Sequence, residues 1–372
     1  MEYKFDVAVV GAGIVGLATA YAAACKGMKT IVFERNPRAI GASVRNSGLI
    51  WPIGQSAGPQ LDRAMLSREI WLDIAKESSI VVKENGSIHL AYYEDELAVL
   101  QDFYKTAQTA GYQVKLLKPK EVAAHSPAVK TKGLKGGLLS TSECTVSPRL
   151  AIPQLAEYLQ KELDVVFRFG SAVTHVDSGI LSDFYDIWHA ERIYISSGAD
   201  FETLYPRVFR DTGITKCKMQ MLRTISQPND WQLGPSLCAG LSLLQHSSFA
   251  HLPSLAAVRE RYLSENQDLI RYGIQAVLTQ NLHGELMIGN SHQYGLDVSP
   301  FDSEPINALI LSYLNTFSEL PDVTIAETWH AVSSKLLGKT DFVTEVEQDV
   351  WIVNGLGSAG ATMSFGLAKE LV

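Results

Sequence analysis

Gly11, Gly13 and Gly16 are spaced for a chain that bends tightly, admits a phosphate against its backbone, and then packs a helix close on a strand. The free N–H groups at the start of such a helix attract a pyrophosphate. Glu34 follows 18 residues after Gly16, where its carboxylate accepts hydrogen bonds from a ribose diol and repels a 2′-phosphate. That disfavours NADP. Gly11, Ala12, Gly13, Ile14, Val15, Gly16 and Glu34 are therefore candidate dinucleotide-binding residues. A second glycine-rich cluster, Gly355-Leu356-Gly357-Ser358-Ala359-Gly360, lies near the other end of the sequence. A nicotinamide dehydrogenase has no need of it. A flavin gripped between the N-terminal unit and a C-terminal helix would use it, because N–H groups at that helix start stabilise negative charge on the reduced ring.

These residues need particular elements to hold them. Phe5 to Val10 is a short β-rich run, Ile14 to Lys26 is alanine-rich and helical, and Lys29 to Phe33 is β-branched again, which together make a βαβ unit. From Val81 to Ala91, VVKENGSIHLA reads as two strands about an Asn-Gly turn, followed by a helical pattern from Glu94 to Ala110. Ser147 to Leu163 predicts a helix with Pro148 near its start, Val165 to Phe169 a strand, and Arg192 to Ser196 a strand ending at Ser197-Gly198. Further strands are expected at Lys218–Ile225, Gly273–Thr279, Glu285–Ile288 and Val350–Val353, with a closing helix from Thr362 to Leu371. The expected fold is α/β: a discontinuous Rossmann-type domain collecting residues 1–80, 145–212 and 330–372. A second α+β domain on a mixed or antiparallel sheet takes 81–144 and 213–329.

The 372 residues are 46% hydrophobic and 19% charged, which excludes a disordered chain. With 32 basic against 40 acidic residues, the net charge of −8 disfavours nucleic acid as a partner. Cys25, Cys144, Cys217 and Cys238 are far apart, with no CxxC and no His pair at zinc-ligand spacing. No metal is expected, and a reduced, cytoplasmic setting fits. Val7 to Cys25 approaches membrane-spanning length, but its glycine spacing points instead to a strand and helix of a soluble sheet, so no membrane association is expected.

Three segments in order, DVAVVGAGIVGLATAYAAACKGMKTIVFER, GASVRNSGLIWP and VNGLGSAGATMSFGLAKEL, resemble the opening, second and closing flavin motifs of the D-amino-acid oxidase superfamily, which includes glycine and sarcosine oxidases. The resemblance runs over essentially the whole chain. It implies non-covalent FAD in extended form, with a substrate domain over the flavin ring. It adds Arg35, Ala42, Ser43, Asn46, Ser47, Val173, Gly198, Gly355, Gly357, Ser358, Ala359, Gly360, Ala361 and Thr362 to the cofactor residues. No Cys stands between Thr328 and Thr340 to tether the flavin; Cys217 and Cys238 read as small core residues. GASVRNSGLIWPIGQ, ENGSIHLA, CKMQMLRT and GELMIGNSHQYG together resemble a subgroup linked with aminophosphonate breakdown.

The family's reaction moves a hydride from the carbon beside an amine to flavin N5, and the imine hydrolyses. The resemblance then implies an anionic primary or N-methyl amine as substrate, with 2-aminoethylphosphonate or its N-methyl derivative as the candidate. Arg45 sits where the family's chain passes the isoalloxazine, as a cation for the substrate or flavin. His292 stands at what looks like the position where sarcosine oxidases place an oxygen-activating lysine, so the local cation would titrate near neutral pH; hydrogen bonding to a substrate anion is its other candidate role. Lys335 is the second candidate anion clamp. Gln220 matches a structural strand Gln of the family, and Lys218 shares its face while Arg223 takes the other. His246, His251, Trp329 and His330 are a reserve of polar groups. Oxygen or another acceptor takes the electrons. Glycine, sarcosine or D-amino-acid oxidation, a quinone-linked dehydrogenase of a hydroxy acid or polyol phosphate, and a flavin- or NAD-binding protein without turnover are the alternatives. The oligomeric state is not legible.

Overall fold

The protein is seen in a computed structural model that describes residues 3–372, so the first two residues of the N-terminal segment lie outside the described residues. Strand β1 (Tyr3–Val10), helix α1 (Ile14–Ala24) and strand β2 (Thr30–Glu34) form the βαβ unit read from the sequence. β1 is the central strand: it pairs in parallel with β2 on one edge and with Ile187–Ile195 on the other. Val166–Phe169 extends the sheet beyond β2, and Val350–Asn354 adds in parallel to the end of Ile187–Ile195. A parallel sheet needs cover on both faces. One face packs α1 and the helices Pro148–Glu162, Pro59–Glu77 and Gly360–Leu371 over Val7 and Val9; the other packs Ala8, Ile31 and Phe33 against Trp188, Phe201 and Phe209.

α1 is buried along nearly all its length because it lies between this sheet and the helix Gly360–Leu371. Its alanines let the two helices approach closely. Gly16 shows how tight the layer is: an added Cβ would stand 1.9 Å from the Gly11 carbonyl oxygen and 3.1 Å from Val9 Cγ1.

The second large sheet has nine strands and is mixed, with Ser236–Cys238 and Ser87–Ala91 as its parallel pair. Its longest strand, Thr215–Ser226, pairs antiparallel with Ile325–Lys335 from Thr215 opposite Lys335 to Thr224 opposite Ile325. Lys335 then bridges to Leu356, which brings the end of this sheet against the closing segment of the first. The α/β architecture with a mixed second sheet is thus the one expected.

Two local expectations fail. VVKENGSIHLA is not a hairpin: Val82–Lys83 pairs with Cys144–Val146 in a small three-stranded sheet, while Ser87–Ala91 enters the nine-stranded one. Gly86, at φ +66, turns the chain between the sheets; its N–H donates to the Glu143 carbonyl and its own carbonyl accepts from Ser236 N. Tertiary pairing has overridden the Asn-Gly signal. The strand expected from Gly273 begins only at Val277, because Gly273 (φ +55) and Ala276 (φ +45) take left-handed conformations that no strand continues through. Elsewhere the boundaries shift by a few residues, most at Ile187–Ile195, which starts five residues before the expected Arg192.

Candidate active site

Two cavities adjoin where the sheets meet. The first, of about 820 Å³, runs along the carboxyl ends of β1 and β2, where open α/β sheets bind ligands. Gly11, Gly13, Ile14, Val15, Glu34, Arg35, Ala42, Ser43, Arg45, Asn46, Val173, Gly198, Gly357, Gly360 and Ala361 line it. Gly11 has φ +106, and a Cβ there would lie 2.4 Å from the Ser196 carbonyl oxygen, so only glycine fits the turn. The first turn of α1 carries no acidic residue, and Gly13 as N-cap provides no capping side chain. The Ile14 N–H meets only the Ser43 hydroxyl, at 2.9 Å.

Glu34 closes β2 with its carboxylate accepting from Ala12 N at 3.2 Å and from the backbone and side-chain nitrogens of Asn36 at 3.0 and 2.9 Å. A carboxylate has about four acceptor sites, which leaves room for a ribose hydroxyl. Ser196 Oγ, buried and lining the cavity, has no partner. An uncapped helix N-terminus, a glycine cradle, an acidic strand end and an orphaned hydroxyl fit a dinucleotide. Ala12, Gly16 and Gly355 line neither cavity. They shape it: Gly355, at φ +79, donates from its N–H to Ser334 Oγ and Asn354 Oδ1.

The second cavity, of about 550 Å³, is lined by Asn46, Ser47, Trp51, Gln60, Cys217, His246, Gln275, Asn290, His292, Tyr294, Lys335, Ser358, Ala359 and Thr362, among others. Asn46, Leu356 and Gly357 border both cavities, so a long ligand in the first presents one end to the second there. Asn46 Nδ2 reaches the Ser358 carbonyl at 3.3 Å, tying the second glycine-rich segment to the last.

No carboxylate lines the second cavity among the described residues; Lys335 and Lys339 supply its cations. Lys335 Nζ donates to the Lys339 carbonyl at 2.6 Å. Burial lowers the Lys335 pKa, against the raising effect of Asp341. His292 Nδ1 lies 3.0 Å from the Gly273 carbonyl, and burial lowers the ring's pKa. Burial thus works against the charged form expected of His292. His246 is held at about 4 by burial, then by the nearby His292, and His89 behind it falls well below the usual histidine value for the same first reason. His246 Nδ1 meets His89 Nε2 at 3.2 Å, and its Nε2 meets Gln275 Nε2 at 2.8 Å.

Arg45 is not brought together with His292 and Lys335. It borders the first cavity only, donating to the Ile40 carbonyl at 2.9 Å and the His330 carbonyl at 3.3 Å. Gln220 holds Ser303 and Asn307, and Lys218, beside it, holds the Ser299 and Phe301 carbonyls and Asp302. Arg223, on the other face, pairs with Glu285 and Glu327. Trp329 Nε1 donates to the Arg45 carbonyl and His330 Nδ1 contacts Asp302, and neither lines a cavity. Cys217 is buried, as expected, but also borders the second cavity, where desolvation pushes its thiol up to about 12. Trp51, Gln60, Gln275, Asn290 and Tyr294 were not legible as site residues. Trp51, Asn290 and Tyr294 lie within the quoted segments GASVRNSGLIWP and GELMIGNSHQYG, but nothing in their spacing marks them as sharing a cavity with Gln60 and Gln275. Among the described residues, no cluster of metal-ligating side chains forms and no helix is long and apolar enough to cross a membrane.

A sequence model of the DAO family, FAD dependent oxidoreductase, matches residues 6–372. Glycine oxidase from Geobacillus kaustophilus (strain HTA426) is 28% identical over 160 residues, 41% of this chain and 42% of that one. Aerobic glycerol-3-phosphate dehydrogenase from Staphylococcus aureus (strain USA300) is 27% identical over 180 residues, 44% of this chain and 31% of that one. The matched region thus spans less than half the length of these curated relatives. The solved structure of glycine oxidase from Geobacillus kaustophilus superposes with a TM-score of 0.79 at 19% identity, covering 99% of this chain and 93% of that one. L-alpha-glycerophosphate oxidase from Mycoplasma pneumoniae, solved with FAD bound, gives 0.75 at 17% identity, over 100% and 94%. At these identities the likeness is one of fold.

Proposed function

This chain belongs to the DAO family of FAD dependent oxidoreductases, and we propose that it oxidises a small anionic primary or N-methyl amine, with 2-aminoethylphosphonate or its N-methyl derivative as candidate substrates. The observation that carries this reading is the junction at Asn46, Leu356 and Gly357, where the dinucleotide cavity adjoins one that holds lysines and, among the described residues, no carboxylate. FAD, when bound non-covalently in the first cavity, would supply the acceptor for the hydride on the carbon beside the amine, and water would split the imine into a carbonyl compound and, from a primary amine, ammonia or, from an N-methyl amine, an amine.

The chain's own residues do the positioning. Glu34 receives the ribose, the N-terminus of α1 receives the pyrophosphate, and the start of Gly360–Leu371 sets amide N–H groups beside the junction. Lys335 neutralises the substrate anion. His246, held at about 4 by burial, adds no second positive charge beside the amine, and burial works against a charge on His292 as well. The division of labour rests on residues 1–80, 145–212 and 330–372 as the cofactor domain and on 81–144 and 213–329 as the substrate domain.

The test is an anaerobic titration of the loaded protein with glycine, sarcosine, D-amino acids, 2-aminoethylphosphonate and its N-methyl derivative, watching the flavin absorbance. Bleaching by at least one is expected; a flavin left oxidised by all of them refutes the reading. A second reading is dehydrogenation of a hydroxy acid or polyol phosphate with a quinone or carrier protein as acceptor. The matching glycerol-3-phosphate dehydrogenases favour it, as does the burial that lowers the His292 pKa. Peroxide formed under air in step with product counts against it.

A further inference from the structure

The second cavity has an unfilled donor away from its lysines. Trp51 is 6% exposed and lines the cavity, and its indole Nε1 is buried with no hydrogen-bond partner. Its backbone is already engaged: the N–H donates to Thr362 Oγ1 at 2.9 Å and the carbonyl accepts from Gly54 N at 3.2 Å. An indole N–H can only donate, and a buried donor without an acceptor is costly to leave. The neighbouring His246 cannot fill the same role, because both its ring nitrogens are taken by His89 and Gln275. His89 and His246 flank the indole, each with its ring centroid 5.9 Å away.

Gly54 packs closely against this edge and, lacking a side chain, is what lets the indole sit where it does. A Cβ there would stand 2.7 Å from Trp51 Cδ1 and 3.4 Å from Nε1. Two further lining atoms, Gln60 Oε1 and Asn290 Oδ1, are buried acceptors without partners and suit amine hydrogens. A cavity of about 550 Å³ is also generous for a substrate with only one polar group besides its amine.

Resting on the reading that this cavity holds the substrate, we propose that the substrate carries three polar groups: besides the amine and the anion at Lys335, a second acceptor oxygen takes the Trp51 indole N–H, which favours a longer substrate than 2-aminoethylphosphonate. Trp51 then sets specificity by the length of the substrate. Gly54 is the small residue that makes this possible.

The experiment is binding of acetate, malonate and succinate to the FAD-loaded protein, read from the perturbation of the flavin visible spectrum. The better of the two diacids should bind at least about tenfold tighter than acetate, the effect of one buried hydrogen bond. Trp51→Phe keeps the ring between the histidines and should bring the diacid to within about twofold of acetate. Gly54→Ala should produce the same loss by pushing the indole aside, and it decides the matter should Trp51→Phe fail to fold. Wild-type protein without a diacid preference, or a preference that survives in the variants, overturns the proposal. Amines that all leave the flavin oxidised would sink the amine reading and leave this comparison standing.

Discussion

Gly13→Ala separates cofactor binding from folding. Gly13 has φ −72 and ψ 174, which any L residue adopts, and an added Cβ would meet only Ser43 Oγ, at 3.1 Å. That hydroxyl sits on a rotatable side chain and yields by a small shift. The cofactor-free variant should therefore unfold within about 0.5 kcal/mol of the wild type. In the loaded protein the methyl stands where the pyrophosphate must approach α1. Losing one charge-assisted hydrogen bond there, at about 1.5–3 kcal/mol, weakens FAD binding roughly ten- to a hundredfold. Flavin-fluorescence titration of the apoprotein measures the affinity, and urea unfolding of the same sample measures the stability. Gly16→Ala is the contrast. Its Cβ would fall 1.9 Å from a backbone oxygen, so it should cost about 4 kcal/mol or more of stability before any ligand is added. A Gly13→Ala protein that binds FAD as tightly as wild type would refute the placement of the pyrophosphate.

Lys335→Met removes the half-buried cation and should weaken acetate binding to the loaded protein about tenfold or more while leaving the FAD affinity in place; equal acetate affinity would show that the anion lies elsewhere. Arg45→Gln cuts the links to the Ile40 and His330 carbonyls, so FAD titration should show a weaker complex and acetate binding little change; the reverse pattern would restore Arg45 as the substrate clamp. His246 has a folded-state pKa of about 4 against about 6.5 unfolded, so the unfolded chain holds more protons between those values and stability falls as pH drops through that window. His246→Gln should remove on the order of 2 kcal/mol of that loss. Urea unfolding at pH 7 and pH 4.5 reads it, and an unchanged difference would show that His246 is not buried neutral.

The legible parts of this protein are local. β1, α1 and β2 carry their own periodicity, and the spacing of Gly11, Gly13, Gly16 and Glu34 marks the strand–turn–helix–strand unit. The junction is different. Trp51, His246, Gln275 and Lys335 come from distant stretches, and only the sheet register and the Lys335–Leu356 bridge bring them to one wall. The Asn85-Gly86 turn misled because its geometry is set by partners at Ser236 and Glu143, some 150 and 60 residues away. The surroundings of His292 are equally non-local, since no neighbour in the sequence announces its burial.

The position of β1 has a consequence for biosynthesis. This middle strand leaves the ribosome well ahead of Ile187–Ile195, its partner on one edge, which in turn waits for Val350–Asn354. Until then a nascent chain exposes an apolar, unpaired strand edge, the kind of surface that recruits chaperones or nucleates aggregates. A stop codon just before Val350 would therefore do more than delete a flavin contact, leaving a sheet begun early in synthesis permanently unfinished.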